Sequence, residues 1–390
     1  DRRQRQMCIR DRGYSLEITD ALKAYKEFGY GTNTVWAGII DSGSNGAHED
    51  MKGADGNSIV KVLKTYFGGP KQNQLVELTP GSNSDDEVDE GGHGTHCTGI
   101  ICAVGDNGKG IAGVAWKNVN FISYKGIQGG SGNEISIYGS LRDLVDTVRS
   151  KVKEEEQATI PVNMSLGGLM VNNYMVEQIN YALSKGVLPV VANGNDGQLL
   201  ASYPAACPGV LAVGASGDND KKATFSTYGP WLNVVAPGLE IISLGHKGTD
   251  QYVHMSGTSI ATPFVTGLVA YLLSFDPHLT PYQIIAILEM TADKIDSKNT
   301  DIAGRYDENG FSMWYGHGRV NVYKATKMVK DGKVPKKGEV YVETTLHVNL
   351  SSEKPAVYVY EKNTGVLVSM NLPVQKAEWQ KQRCFRYTRI

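Results

Sequence analysis

The sequence lacks a surplus of charge of either sign. Its 39 lysines and arginines face 41 aspartates and glutamates, a net charge of −2. That balance excludes the electrostatic footprint of a nucleic-acid or membrane-surface partner. Basic blocks occur only at the two chain ends. No uncharged apolar run is expected to reach the roughly 18 residues that a membrane helix needs. Cysteines are few: Cys8, Cys97, Cys102, Cys207 and Cys384. Their odd number and the absence of CxxC spacing argue against a zinc site and against a disulfide framework. Residues 1–12 (DRRQRQMCIRDR) have no apolar core of the kind a signal peptide carries. Met7–Arg12 resembles the translation of a transposon-end sequencing adapter, so residues 1–12 are read as foreign to the fold. Residues 376–390 also break the preceding pattern and are left unassigned. What the chain has in plenty is glycine, 45 of 390 residues or about 11.5%, against roughly 7% in average usage. Such an excess implies tight turns and close backbone approaches. With 41% apolar and 21% charged residues, general disorder is excluded. The length suits one large domain plus a small one.

Short, nearly continuous apolar runs end in polar residues at 34–40, 121–124, 160–164, 187–192, 210–215 and 234–236. Runs of this kind suit strands buried on both faces of a parallel sheet. Between them lie helical periodicities. Ile135, Tyr138, Leu141, Leu144, Val145, Val148 and Val152 share one helix face, and Val176, Ile179 and Leu183 another, closed by Gly186. Two late helices are expected at 259–275 and 281–291, the second with Thr280 as N-cap and Pro281 at its first position. The fold class is therefore α/β, a mostly parallel central sheet with helices on both faces, whose active site lies at the carboxyl ends of the strands. Residues 52–90 lack helical period and end in the acidic run 85–90. They read as a solvated surface insertion, or as a second cation site. Residues 331–337 read as a linker. Alternation in 338–375, with a hairpin turn at Asn363-Thr364-Gly365, reads as a partial, β-sandwich-like accessory domain.

Three segments carry the chemistry: Asp41-Ser42-Gly43, His93-Gly94-Thr95-His96 and Gly257–Pro263. Singly, each is an ordinary turn, a structural histidine or a helix cap. Together they supply what a serine nucleophile requires. A hydroxyl needs an imidazole to take its proton, and the imidazole needs a carboxylate to hold its tautomer. An α/β-hydrolase would need the order Ser, Asp, His. The histidines after Ser259 (His278, His317, His347) stand in no matching context.

The order Asp, His, Ser, with nine segments in sequence from IIDSG (39–43) and GGHGTHCTG (91–99) through NMSLGG (163–168) and VVANGNDG (190–197) to HMSGTSIATPFVTG (254–267), resembles the subtilisin family of serine proteases (subtilases, peptidase S8). The cysteine after HGTH resembles the thiol-containing type. The resemblance covers 13–330, and implies a subtilisin-like three-layer α/β domain there. It implies a secreted serine endopeptidase acting through an acyl-enzyme, with Ser259 as nucleophile, His93 as base, Asp41 as its orienter and Asn195 as oxyanion donor; His96 is structural. Peptide would lie between the edge segment Ser165-Leu166-Gly167, opposite Ala192-Asn193-Gly194, and a second edge strand at Gly130-Ser131-Gly132. Ser202 would sit near the floor of a pocket for medium or large apolar P1 side chains. A structural calcium ion is implied at Asp50, Asn107 and the carbonyls of Gly105, Lys109 and Ile111. Cys97 would sit under His93. The implied protein is an extracellular or cell-surface monomer acting on proteins and peptides, matured by loss of an N-terminal propeptide. The alternative is a catalytically inactive relative serving as a binding or adhesion module.

Overall fold

The computed structural model describes residues 13–67, 74–84 and 92–335, and the backbone of two short strands beyond them. The apolar runs become strands β1 (Val35–Asp41), β4 (Val119–Lys125), β5 (Ile160–Met164), β6 (Val187–Ala192), β7 (Leu211–Ser216) and β8 (Val234–Pro237). Every residue of β5 to β8 is buried, as runs without alternation demand. They join β2 (Val60–Thr65) and β3 (Val76–Leu78) in one sheet of order β3-β2-β4-β1-β5-β6-β7-β8. All neighbours are parallel except β2 and β3. On one side of β1 the chain steps outward through β5, β6, β7 and β8; on the other, β4 lies between β1 and the earlier β2 and β3, so the order switches at β1 and the crevice opens at the carboxyl ends of β1, β4 and β5.

The reading of 52–90 as a surface insertion needs correction. It contributes β2, paired in parallel with β4, and β3. Val60, Val62 and Leu63 are buried, Lys61 is exposed at a bulge between Val60 and Val62, and the partly buried Lys64 pairs with Asp143 at 2.7 Å. The acidic run 85–90 lies outside the described residues, as do residues 1–12 and 376–390.

Helices α1 (Tyr14–Ile18) and α2 (Ala21–Phe28) precede the sheet. Helix α3 (His93–Cys102) packs on α6 (Thr258–Phe275), and α6 covers β5 to β8. Helices α4 (Ser140–Lys151) and α5 (Asn173–Ser184) pack together on β1, β4 and β6. Two more, α7 (Pro281–Thr291) and α8 (Val322–Lys330), follow. The start of α7 is a full capping box between Thr280 and Gln283, with Pro281 in the first turn. The helix expected over 135–152 is split: 135–139 is one wide π turn before α4. There Ser136 Oγ donates to Gly126 O at 2.8 Å and Ser140 Oγ to Ser136 O at 2.6 Å, competing with the regular ladder.

One uncharged, largely apolar stretch does reach membrane-spanning length, against the expectation. Helix α6 has 18 residues without a charge and is long and apolar enough to cross a membrane. It is instead the core helix: 89% of it is buried in this fold. A hairpin of β9 (Ile241–Leu244) and β10 (Tyr252–Met255) leads into α6. Strands β11 (Tyr358–Tyr360) and β12 (Leu367–Met370) pair antiparallel with a bulge, the hairpin read from the alternation. The remainder of 338–375 lies outside the described residues.

Candidate active site

Asp41 ends β1 and His93 opens α3. The first turn of α3 can reach the β1 loop because residue 94 is glycine; a side chain there would run into the Gly43 carbonyl. His93 Nδ1 lies 2.8 Å from Asp41 Oδ1, which also accepts from Ser42 N at 2.8 Å. Asp41 is 1% exposed, whereas the His93 side chain is 32% exposed, so the imidazole alone faces the crevice. The second carboxylate oxygen, Oδ2, is buried with no hydrogen-bond partner among the described residues. Burial by itself would lower the His93 pKa. The Asp41 carboxylate outweighs it, and with Cys97 beside the ring it raises the pKa well above the ordinary histidine value. His96 is placed oppositely. It is fully buried, and its Nε2 meets the carbonyls of Ile241 at 3.0 Å and Val253 at 3.2 Å. Burial lowers its pKa from 6.5 to about 4. Its folded pKa lies below its unfolded one, so the fold loses stability as pH falls from about 6.5 toward about 4.

Ser259 is the second residue of α6, half-buried beside the crevice. Pro263 lies four residues on and has no N–H to give the Ser259 carbonyl, so that carbonyl is an orphan inside a helix. Two side chains satisfy it: Ser165 Oγ donates at 2.6 Å and Cys97 Sγ at 3.3 Å. Asn163 Nδ2 in turn donates to Ser165 Oγ at 2.9 Å. The proline thus makes the serine's backbone depend on β5 and α3. Cys97 Sγ stands 4.0 Å from His93 Nδ1, the place expected for it. Burial raises its pKa, so it is a neutral thiol. Cys97, Cys102 and Cys207 are all unpaired and buried. No hydrogen bond closes between His93 Nε2 and Ser259 Oγ among the described residues; in unliganded sites such contacts often tighten only around substrate.

Asn195 follows β6. Its Oδ1 accepts from Thr258 N at 2.9 Å and Thr258 Oγ1 at 3.0 Å. With the oxygen held, Nδ2 turns toward Ser259. A Cβ placed on Gly257 would lie 2.8 Å from Ser259 Oγ and 3.6 Å from Asn195 Nδ2, so both atoms converge over this bare glycine. That hollow borders the start of α6, where unpaired N–H groups and the helix dipole favour negative charge.

The other expected cleft residues divide. Ser165, Leu166 and Gly167 line the crevice beside Ser259, and a side chain on Gly167 would press on Ser202 Oγ, 2.5 Å away. Ala192, the last residue of β6, and Ser202 are each 5% exposed, and Ser202 lies against Gly167 and Gly194. Asn193 does something else. It is fully buried, donating to Thr227 O at 2.7 Å and accepting from Trp231 Nε1 at 2.6 Å, a strap under the loop of Gly194. Gly194 N donates to Thr258 Oγ1 at 3.2 Å. Gly130, Ser131 and Gly132 form no regular strand: Gln128 and Ser131 bond each other across a tight turn with Gly129 and Gly130 at positive φ. They are exposed.

Of the expected cation ligands, the structure joins Asp50 and Asn107, and Ile111 meets Asp50 through its N–H and not through its carbonyl. Asp50 is fully buried; its Oδ1 accepts from Asn107 Nδ2 at 2.9 Å, and its Oδ2 from Ile111 N at 2.9 Å and Tyr252 OH at 2.8 Å. The loop holding Gly105, Lys109 and Ile111 wraps this carboxylate. Lys109 Nζ pairs with Glu49 at 3.0 Å. Asn107 Oδ1 accepts from Lys109 N at 2.9 Å, so the amide is held with its N–H toward Asp50; the buried Asp50 carboxylate is the oxygen donor here that suits a hard cation.

Residues 32–318 match the model of the subtilase family. The chain is 35% identical over 290 residues to thermitase of Thermoactinomyces vulgaris, covering 74% of this chain and 87% of that protein. It is 33% identical over 288 residues to a thermophilic serine proteinase of Bacillus sp. (strain AK1), covering 74% of this chain but 60% of that protein. Among solved structures it is similar to fervidolysin of Fervidobacterium pennivorans, with a TM-score of 0.63 at 25% identity over 82% of this chain and 47% of that one.

Proposed function

The chain belongs to the subtilase family of serine endopeptidases, and we propose from that premise that Asp41, His93, Ser259 and Asn195 perform its chemistry. One observation carries the assignment: Ser259 Oγ and Asn195 Nδ2 converge over Gly257 while His93 is held by a buried carboxylate. With Nδ1–H donated to Asp41, His93 Nε2 is the free base. It takes the proton of Ser259 as Oγ attacks the peptide carbonyl. The carbonyl oxygen becomes an oxyanion, met by Asn195 Nδ2 and the backbone N–H of Ser259. His93 then gives its proton to the leaving amine, and the acyl group stays on Ser259. Water, deprotonated by the same imidazole, releases it. Substrate pairs with the edge at Ser165–Gly167, and Ser202 borders a pocket for medium or large apolar P1 side chains. The test is a fluorophosphonate probe with calcium present. Label on Ser259 that disappears in His93→Ala supports the reading; no label on a folded sample overturns it.

Asn195→Leu removes the oxyanion donor without touching His93. It is expected to lower kcat by roughly 10²–10³ with little change in KM, read from steady-state kinetics on a chromogenic peptide.

Family relatives generally bind calcium, and Asp50, Asn107 and the carbonyls of Gly105, Lys109 and Ile111 would hold it here. Bound calcium would brace the loop between α3 and β4. Calcium at a hundred times its Kd should add about 2.7 kcal/mol to stability. In Asp50→Ala, melting temperature should no longer respond to calcium; a response equal to that of the parent protein sinks the site. Residues 13–330 serve as the peptidase domain, 331–337 as a linker and 338–375 as an accessory β module. Family resemblance supports an extracellular monomer acting on proteins, released from an N-terminal propeptide.

A further inference from the structure

Ten large apolar side chains are exposed among the described residues, and five of them flank a single backbone bridge. Leu169 is 65% exposed, Met170 84% and Val171 48%; Leu199 is 54% and Leu200 36%. The bridge joins Gly168 and Tyr203 through two hydrogen bonds of 2.9 and 2.8 Å. Because the pairing is antiparallel, residues 169–171 leave it on the same side as residues 202–199 arrive. The five side chains therefore stand as one apolar rim. Contiguous exposed apolar surface of this kind marks a place where something binds.

The rim continues the substrate crevice. It begins one residue after the edge segment 165–167, whose Ser165 is bonded to the Ser259 carbonyl. Its second limb ends at Ser202, against Gly167. No charged residue occurs from 157 to 176 or from 197 to 217; the nearest charge that the structure brings to the rim is Glu134, which accepts from Asn172 Nδ2. A peptide paired with 165–167, its scissile carbonyl at Ser259, carries its acyl side outward along this edge. At about 3.3 Å per residue, the rim is reached some four to six residues before the cut.

We propose that this rim is a substrate exosite that binds an apolar stretch of the polypeptide upstream of the cleaved bond. The enzyme then favours unfolded or aggregated protein, whose apolar segments are open, over folded protein of the same P1 content. The inference rests on the assignment of Ser259 and of the crevice given above.

The test uses two fluorogenic peptides with the same P4–P3′ residues. One is extended upstream by leucines and isoleucines, the other by serines and glutamines. The apolar extension should raise kcat/KM about tenfold, chiefly through KM. In Leu169→Ser/Met170→Ser/Val171→Ser that gain should vanish, while an unextended peptide is cut as by the parent protein, which also shows that the variant folds. Leu199→Ser/Leu200→Ser should lose part of the gain. Equal cleavage of both extended peptides by the parent protein overturns the exosite and leaves the peptidase assignment standing. No cleavage of any peptide by folded protein overturns both. Self-association of the parent protein that the triple variant abolishes, with no effect of the extension, gives the rim to a second copy and also overturns the proposal.

Discussion

Ser259→Ala is expected to lower kcat by about 10⁶-fold while leaving substrate binding and melting temperature close to those of the parent protein. The reason for the split lies in how this residue is held. Its hydroxyl makes no hydrogen bond among the described residues, so its loss leaves no buried group unpaired. Its carbonyl, the part that the fold depends on, is unchanged by the substitution and still accepts from Ser165 and Cys97. Alanine also suits a helix at least as well as serine. Active-site titration, steady-state kinetics and calorimetry on one preparation read all three quantities. A variant retaining activity within a hundredfold of the parent protein would remove Ser259 from the reaction.

Asp41→Asn is expected to cost roughly 10⁴-fold in kcat and to move the acidic limb of the pH–rate profile downward. His93 works as a base only when neutral. Its pKa is raised well above the usual value chiefly by the carboxylate at 2.8 Å, against the pull of burial. Activity of the parent protein therefore rises only at pH values above the ordinary histidine range. An amide at 41 carries no charge and can present its N–H₂ to the ring, so the pKa falls and the wrong tautomer is favoured. Stability follows the same linkage. A raised folded pKa contributes stability that is fully present below the unfolded value and is lost as pH rises through the folded one. The stability gap between parent and variant should thus narrow toward alkaline pH in thermal melts. A limb that stays in place would mean that Asp41 does not set the His93 pKa.

Much of this architecture was legible because it follows from local pattern. Buried parallel strands need apolar residues on both faces, and β5 to β8 show them without interruption. Strand β2 escaped that reading because Lys61, at a bulge, and Lys64, paired with Asp143, interrupt its apolar side chains near the edge of the sheet. The side chains proposed to react were legible as well, since Asp41, His93, Ser259 and Asn195 each sit in a short recognisable segment. What holds them was not. Thr258 fixes the Asn195 amide from 63 residues away, and Ser165 reaches the Ser259 carbonyl from 94. Pairings at such separations leave no local period. One sign was present all the same: a proline four residues after the serine announces an unpaired carbonyl, and a buried carbonyl must find a donor somewhere. Asn193 shows the reverse case, a motif residue whose side chain serves as a strap beneath the site.

The position of α6 at the middle of the fold but late in the chain has a consequence for timing. A ribosome delivers Asp41 and His93 long before Ser259, which follows His93 by 166 residues (259 − 93). At about 5 to 20 residues per second that interval lasts roughly ten to thirty seconds. Until α6 emerges, β5 to β8 lack the helix that covers one face of all four, Asn195 has no Thr258 to orient it, and the growing chain is harmless to itself and its neighbours. Placing the proposed nucleophile on α6, after every strand of the central sheet, makes the order of synthesis a safety catch.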